Sequence, residues 1–326
     1  MELFGTTAAG EDVHAIDLVG DAISARVLTY GAVLNDVRMA GLGYPLTLGS
    51  PDLAAYEGPL ESFGSLIGPF ANRIKGAEAV IAGQSYQFEK NFEGAHTLHS
   101  GAMGTHRQVW EVIDLSASHV VLALALPDGL GGFPGNRTVV ATYRVEGASI
   151  TLTVEARSDA PTLLSFANHS YWALDGAAAF GGHVLTIPAD EVLEMGPALM
   201  PTGRVLSLDG SDYDARGGLA LTGDAQQFFD INYCLGTLDI PLREVARLRG
   251  TSGVELVMES TAPGLQVYDC GTIDGAGFET HHGAAYGAYS GLALEAQLWP
   301  GAAHHGAFPS AEGVAFDQTT RWSFSA

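Results

Sequence analysis

The sequence predicts an all-β protein, a large antiparallel β-sandwich with few short helices. Three observations predict it. Short runs of β-branched and aromatic residues recur at roughly the spacing of sandwich strands. Helical periodicity is almost absent between them. Glycine is abundant, at 42 of 326 residues, shows no G-X-Y period, and punctuates the turns between apolar runs. No composition shift marks a linker and no repeat of fixed period occurs, so residues 1–326 read as a single domain.

The elements follow in order. Residues 13–19 alternate apolar and polar, Gly20-Asp21 turns, and residues 23–39 read as one long strand bent or bulged at Gly31. Residues 51–56 hold one helical turn, with Ser50 or Asp52 as its cap. An apolar run over 65–74 ends in Asn72-Arg73-Ile74, and 80–88 reads as a hairpin around Gly83. Strands follow at 110–115 and 119–126, then a long turn over 127–136. Residues 138–145 and 149–157 form a hairpin across Glu146-Gly147. Further strands are expected at 183–188, 192–194, 245–249, 254–260, 265–269 and 292–298. Met200-Pro201-Thr202-Gly203 reads as a turn, 211–218 as a loop, 272–289 as an irregular excursion, and 322–326 as the closing segment.

Composition narrows the partners. The formal net charge is −22 and no Lys/Arg cluster occurs, which disfavours nucleic acid and an anionic membrane surface and suits a neutral small molecule. Cys234 and Cys270 have no metal-like spacing, and two cysteines in so long a chain fit a reducing compartment. No secretory signal and no membrane-length apolar run is visible, so a cytoplasmic location is expected. Adjacent histidines at His281-His282 and His304-His305 would point opposite ways in a strand, which disfavours a metal site.

Chemistry concentrates in a few places. Asn168-His169-Ser170-Tyr171-Trp172 sets amide, imidazole, hydroxyl, phenol and indole side by side without a charge. Such a wall can hydrogen-bond hydroxyls and stack on a sugar, although alone it also fits a strand end with a core histidine. Arg73, flanked by apolar residues, is either a structural ion-pair partner or a fixed guanidinium fork. His99 sits in a turn-rich segment, where ligand-binding residues concentrate. Glu295 lies in an otherwise apolar strand, where burial raises a carboxyl pKa toward that of a general base working near neutrality. Asp230 is a second carboxylate, within the aromatic cluster Phe228-Phe229-Asp230-Ile231-Asn232-Tyr233.

Seven motifs in order carry a family resemblance: Ala71-Asn72-Arg73-Ile74; Leu98-His99-Ser100-Gly101; Asp128-Gly129 through Phe133-Pro134-Gly135-Asn136; Asn168-His169-Ser170-Tyr171-Trp172; Phe229-Asp230-Ile231-Asn232-Tyr233; Pro263-Gly264-Leu265-Gln266-Val267-Tyr268; and Leu294-Glu295-Ala296-Gln297 with Pro300 following. The chain thereby resembles the aldose 1-epimerase (galactose mutarotase) family. The resemblance implies a galactose mutarotase-like supersandwich and interconversion of sugar anomers. His169 is then the general acid on the ring oxygen and Glu295 the general base on the anomeric hydroxyl. Asn72, Arg73, His99, Tyr171, Asp230 and Gln266 match positions that bind sugar hydroxyls or stabilise developing charge. It further implies no cofactor or metal, a monosaccharide substrate, and a monomer or homodimer. A carboxylate, Asp230 or the general negative field, is expected to hold His169 as the cation. The chain departs from the family pattern at Ser100, where a second glycine is common, and at Gly301, His304-His305 and residues 212–216. Those changes place sugar preference in question. The rivals are a same-fold relative acting on an unusual aldose or a sugar phosphate, and a non-catalytic sugar-binding module. A total of 15 Lys plus Arg speaks against a phosphate site, and a mere binding module would have no reason to keep both His169 and Glu295.

Overall fold

Two antiparallel sheets face each other across a shared core in the computed structural model, which describes residues 1–237 and 240–326. The larger has nine strands, in the order Glu111–Leu115, His119–Leu126, Arg137–Glu146, Ser149–Leu163, Glu312–Ser325, Glu255–Ser260, Arg243–Arg249, Val184–Thr186 and Leu219–Ala220. The smaller has six, in the order Tyr171–Trp172, Leu292–Gln297, Gly264–Tyr268, Asp230–Cys234, Glu191–Met195 and Pro201–Ser207. A four-stranded sheet over Glu2–Thr6, Asp12–Val19, Ile23–Leu28 and Leu34–Met39 adds its apolar face to the same core.

Alternation decides the layers. In Glu255–Ser260, Leu256 and Met258 are buried beside Trp322 and Phe324 of the neighbouring strand, while the intervening side chains are partly exposed. The strand Leu292–Gln297 breaks the pattern, because all six of its residues are buried. Leu292, Leu294 and Ala296 enter the sandwich core. Ala293, Glu295 and Gln297 point to the opposite face, which loops cover instead of solvent.

Most expected strands and the 80–88 hairpin are present, and the helical turn is Leu53–Tyr56, with Asp52 accepting from Ala54 N–H at 3.0 Å. Three expectations need correction. Residues 23–39 are two antiparallel strands, with Ala25 opposite Val37, and Gly31 (φ 63°) sits in the turn between them. A side chain there would strike the carbonyl oxygen of His106, so glycine serves a reversal, not a bulge. The turn expected at 200–203 lies earlier, where Gly196 N–H bonds Met200 O at 2.8 Å, and Pro201 begins the strand Pro201–Ser207. The closing strand is much longer than 322–326: Glu312–Ser325 pairs along Ser149–Leu163, and its outer half leaves no strand pattern in the sequence because it is largely exposed and lacks apolar alternation.

The stretch around His169 is not a simple strand end. Ala167–Asn168 pairs with Leu66–Ile67, and Tyr171–Trp172 pairs with Leu292 and Ala293. His169 sits at the step between the two pairings. Backbone bonds His169 N–H to Ser65 O (2.9 Å) and Gly64 N–H to His169 O (3.0 Å) hold it there. Asn168 donates to Gly64 O at 2.8 Å and accepts from Ser170 N–H and Oγ, so its side chain replaces the missing ladder bonds.

Gly64 is therefore a keystone: its φ is 68°, and a Cβ would collide with the Leu34 carbonyl oxygen. Gly64→Ala is expected to destabilise the fold by about 3 kcal/mol, from backbone strain plus overpacking. Chemical denaturation measures it, and a change within error of wild type would show that the segment relaxes freely.

Candidate active site

The buried outer face of the six-stranded sheet places side chains in rows. Across three strands, Asn232, Gln266 and Glu295 stand opposite one another, and across four strands so do Asp230, Tyr268, Ala293 and Tyr171. Side chains two residues apart share a face, so a single register assembles Asp230, Gln266, Glu295, Tyr171 and Tyr268. Loops supply the rest. Arg73 lies in the two-residue pairing of Arg73–Ile74 with Thr97–Leu98. Asn72, His99 and Ser100 adopt left-handed backbone (φ 66°, 52° and 65°). Asn72 N–H donates to His99 Nδ1 at 3.2 Å and His99 N–H to Asn72 O at 2.9 Å, so the two loops lock each other. With Nδ1 accepting, the proton of the neutral His99 ring is on Nε2.

All eight residues singled out from the sequence, Asn72, Arg73, His99, His169, Tyr171, Asp230, Gln266 and Glu295, line one cleft of about 360 Å³. Asp230 accepts from Arg73 Nη2 at 2.9 Å on one oxygen and from Gln266 Nε2 at 2.6 Å on the other. The guanidinium also reaches Asn72 Oδ1 at 3.4 Å and lies 4.9 Å above the Phe92 ring centroid. His169 Nε2 stands 3.5 Å from Glu295 Oε1. The His169 ring packs 4.9 Å from Tyr171 and meets His99 edge-on at 5.5 Å. Five buried polar atoms on residues lining the cleft, Arg73 Nε, His106 Nδ1, His169 Nδ1, Gln266 Oε1 and Glu295 Oε2, have no hydrogen-bond partner in the protein. Unpaired buried polar atoms occur elsewhere too, at Asp36 and Trp322 for example, but here several line one open cleft, where a hydroxyl-rich ligand can pair them.

Electrostatics separates the two central groups. Burial pushes the Glu295 carboxyl up to about 8, with the Asp230 charge adding to the rise and Arg73 opposing it. Burial pushes His169 down to about 4. Burial, together with His169, His106 and Arg73, also holds His99 well below the usual histidine range. Between about pH 4 and 8 the His169–Glu295 pair therefore carries one proton in total. This corrects the expectation that a carboxylate keeps His169 cationic. Asp230 is occupied by Arg73 and Gln266, and its charge acts on Glu295 instead.

The cleft also contains residues not singled out from the sequence: Tyr268, Phe92, His106, Phe228, and the Arg107–Glu61 ion pair at 2.8 Å. Tyr268 was legible, since it follows Gln266 by two on the same face of a strand. The others come from loops without periodicity. Of the departures from the family pattern, Ser100 is explained by its surroundings: its Oγ bonds both Phe70 N–H (2.9 Å) and Phe70 O (3.0 Å). Gly301, His304, His305 and residues 212–216 do not line the cleft. His304 and His305 face the carbonyls of Glu78 and Pro201, while His281 and His282 face Asn35 Oδ1 and the Tyr286 hydroxyl.

The chain is similar to known sugar epimerases along nearly its whole length. The family profile described as aldose 1-epimerase matches residues 15–324. Human galactose mutarotase is 31% identical over 332 residues, covering 98% of this chain and 96% of the relative. The aldose 1-epimerase of Escherichia coli K12 is 28% identical, covering 98% and 93%. Among solved structures, an aldose epimerase homologue from C. elegans superposes with a TM-score of 0.88 at 26% identity, covering 96% of this chain and 99% of that one. A galactose 1-epimerase from Lactobacillus acidophilus NCFM shares the fold, with a TM-score of 0.82 at 23% identity over 98% and 97%.

Glu295 has a consequence for stability. Its ordinary value is 4.5 and its folded value about 8. Below pH 4.5 the carboxyl is protonated whether the chain is folded or not. As pH rises toward 8, the unfolded chain ionises and the folded site does not, so stability is progressively lost. Glu295→Gln removes that penalty. Its melting temperature is expected to exceed wild type by more at pH 8 than at pH 5; the same difference at both values would refute the raised carboxyl.

Proposed function

This chain belongs to the aldose 1-epimerase family, and from that membership we propose that its cleft opens and recloses the ring of a neutral aldose, with His169 as acid and Glu295 as base. The family's members are isomerases that interconvert sugar anomers. The observation that carries the residue assignment is the 3.5 Å approach of His169 Nε2 to Glu295 Oε1, between two groups whose proton affinities burial shifts in opposite directions.

That spacing suits the chemistry. The ring oxygen and the anomeric oxygen are bonded to the same carbon, so the groups serving them must be neighbours. Glu295 takes the proton of the anomeric hydroxyl while His169 delivers one to the ring oxygen. The bond from C1 to the ring oxygen breaks, and C1 becomes the aldehyde carbon. Rotation about C1–C2 presents the other face, and closure returns both protons. No proton is gained or lost over the cycle, which fits a pair that carries one in total. In the sugar-free site burial favours the neutral arrangement, protonated Glu295 beside neutral His169. The same distribution serves the open-chain aldehyde: the carboxyl faces the carbonyl oxygen, and the imidazole is ready to accept the hydroxyl proton on closure. The Arg73 charge offsets part of the burial penalty when Glu295 becomes the carboxylate.

Asn72, Arg73, His99, Tyr171, Asp230 and Gln266 hold the sugar. Both arginines of the cleft are already neutralised, Arg73 by Asp230 and Arg107 by Glu61, which favours a neutral sugar over a sugar phosphate. Lining residues run from Glu61 to Glu295, which supports reading residues 1–326 as a single domain. Among the described residues, no helix is long and apolar enough to cross a membrane.

Polarimetry of freshly dissolved α-D-galactose and α-D-glucose tests the assignment. Wild type is expected to accelerate anomeric equilibration, and Glu295→Gln and His169→Ala each to lose about 10²-fold or more of kcat. Wild-type rate against pH is expected to be a bell with limbs near 4, where the pair gains its second proton, and near 8, where it loses its last. A profile flat from pH 3 to 9 would exclude this pair. Asp230→Asn is expected to raise KM for both sugars, because it leaves Arg73 without its ionic partner and turns a shared acceptor into a partial donor; unchanged KM would place the hydroxyl contacts elsewhere.

A further inference from the structure

Besides His99 and His169, a third imidazole lines the cleft, that of His106. It is only 4% exposed, and the proton transfers between His169 and Glu295 make no use of it. Its backbone is tightly held. Thr105 N–H donates to Gly68 O at 2.8 Å, Thr105 Oγ1 to Leu66 O at 2.5 Å, and Trp110 Nε1 to Thr105 O at 3.1 Å. The His106 carbonyl lies against Gly31, where a Cβ would stand 2.6 Å from its oxygen. The ring lies over Gly104, where a Cβ would come within 2.5 Å of Cε1 and 2.6 Å of Nδ1. The next residue, Arg107, ties the segment to the facing loop through Glu61. Both glycines are needed for the imidazole to stand where it does, and it has little freedom to leave.

This packing decides which edge of the ring is available. Nδ1 and Cε1 face Gly104, which leaves the Nε2–Cδ2 edge for the cleft. Nδ1 has no hydrogen-bond partner in the protein, so a proton on it would be buried without an acceptor. An orphaned buried N–H is costly, and the proton of the neutral ring therefore belongs on Nε2. Burial, helped by Arg107 and His169, pushes His106 down to about 3, so the ring is neutral wherever the catalytic pair carries its single proton. His99 presents a donor of the same kind, with its proton also on Nε2. Asp230, by contrast, has both oxygens engaged by Arg73 and Gln266.

We propose that His106 is a specificity-determining residue of the cleft, donating from Nε2 to the oxygen of one sugar hydroxyl other than the anomeric one. This rests on the cleft's being an anomer-interconverting site, in which His169 and Glu295 serve the two oxygens on C1. His106 touches no reacting atom and exchanges no proton during the cycle. When the sugar displaces water from the cleft, the Nε2–H has only the sugar to pair with. An aldose lacking that one hydroxyl leaves the donor unpaired and is rejected for it.

The test follows anomer exchange by NMR with D-galactose, D-glucose and the monodeoxy analogues of each at C2, C3, C4 and C6. Wild type is compared with His106→Phe, which keeps a flat ring without the N–H, and with His106→Gln, whose amide N–H reaches about as far as Nε2. His106→Phe is expected to lower kcat/KM for the preferred parent sugar by roughly tenfold or more, and to cause no loss for one deoxy analogue alone. His106→Gln is expected to recover most of the parent rate. Both variants are expected to keep the limbs of the pH profile near 4 and 8, because His106 carries no charge between them. An equal loss for every sugar, no loss for either parent, or a displaced limb would overturn the contact, the last by showing that His106 acts on the catalytic pair instead. Should His106→Phe not fold, His106→Asn replaces it, since the shorter amide reaches only as far as Nδ1; equal rates for the asparagine and glutamine variants would then overturn the proposal. Failure of wild type to turn over either parent would instead refute the anomer-interconverting site, and calorimetric binding of the same sugars to the same variants would decide the His106 contact.

Discussion

A carboxyl group with almost no solvent contact, in the middle of a strand buried on both faces, is the constraint from which the rest of this structure follows. Glu295 is 2% exposed, and one of its oxygens has no hydrogen-bond partner in the protein. A charge in that position is costly, so the group holds its proton well above the ordinary carboxyl range. The same burial strips the neighbouring imidazole of its proton. The outcome is a pair of groups in near contact that carries one proton in total, held on Glu295 in the sugar-free site.

Covering the outer face of the small sheet is what produces the burial. An antiparallel sheet in a sandwich commonly leaves one face to water, and its strands then alternate. Here the loops 61–73, 97–107 and 268–273 close over that face, and the register places Asp230, Gln266, Glu295 and Tyr171 beneath them. The price is local strain, with Asn72, His99 and Ser100 all held in left-handed backbone by bonds between the two loops. Such strain persists where surrounding structure over-determines it, and here it aims a guanidinium and an imidazole into the cleft.

The Arg73–Asp230 pair illustrates how a buried ion pair acts without being a large source of stability. Its desolvation offsets most of its attraction, so its main effects are positional and electrostatic. It fixes the guanidinium plane, orients Gln266 through the second carboxylate oxygen, and sets opposing fields on Glu295. It also removes the net positive charge that an anionic substrate would require. A strongly acidic chain with a neutralised arginine in its cleft is matched to an uncharged, hydroxyl-bearing ligand.

The sequence by itself determined the architecture and the chemical groups. Apolar alternation and turn glycines are local signals, so the strands from Glu111 to Leu163 were legible, as was the uninterrupted run that carries Glu295. The eight residues that line one cleft were legible as a group because their types and order carry the family likeness. The reversal at Gly31, the true turn before Pro201 and the exposed half of the last strand were not, since each depends on what packs against the segment and not on its own pattern. Nor could the sequence say where the proton of the His169–Glu295 pair resides. Residue types suggested a cation held by a carboxylate. Only the tertiary structure decided otherwise, because the pKa of a group follows from the water it has lost and the distances to its neighbours, and both are set by strands and loops more than a hundred residues apart.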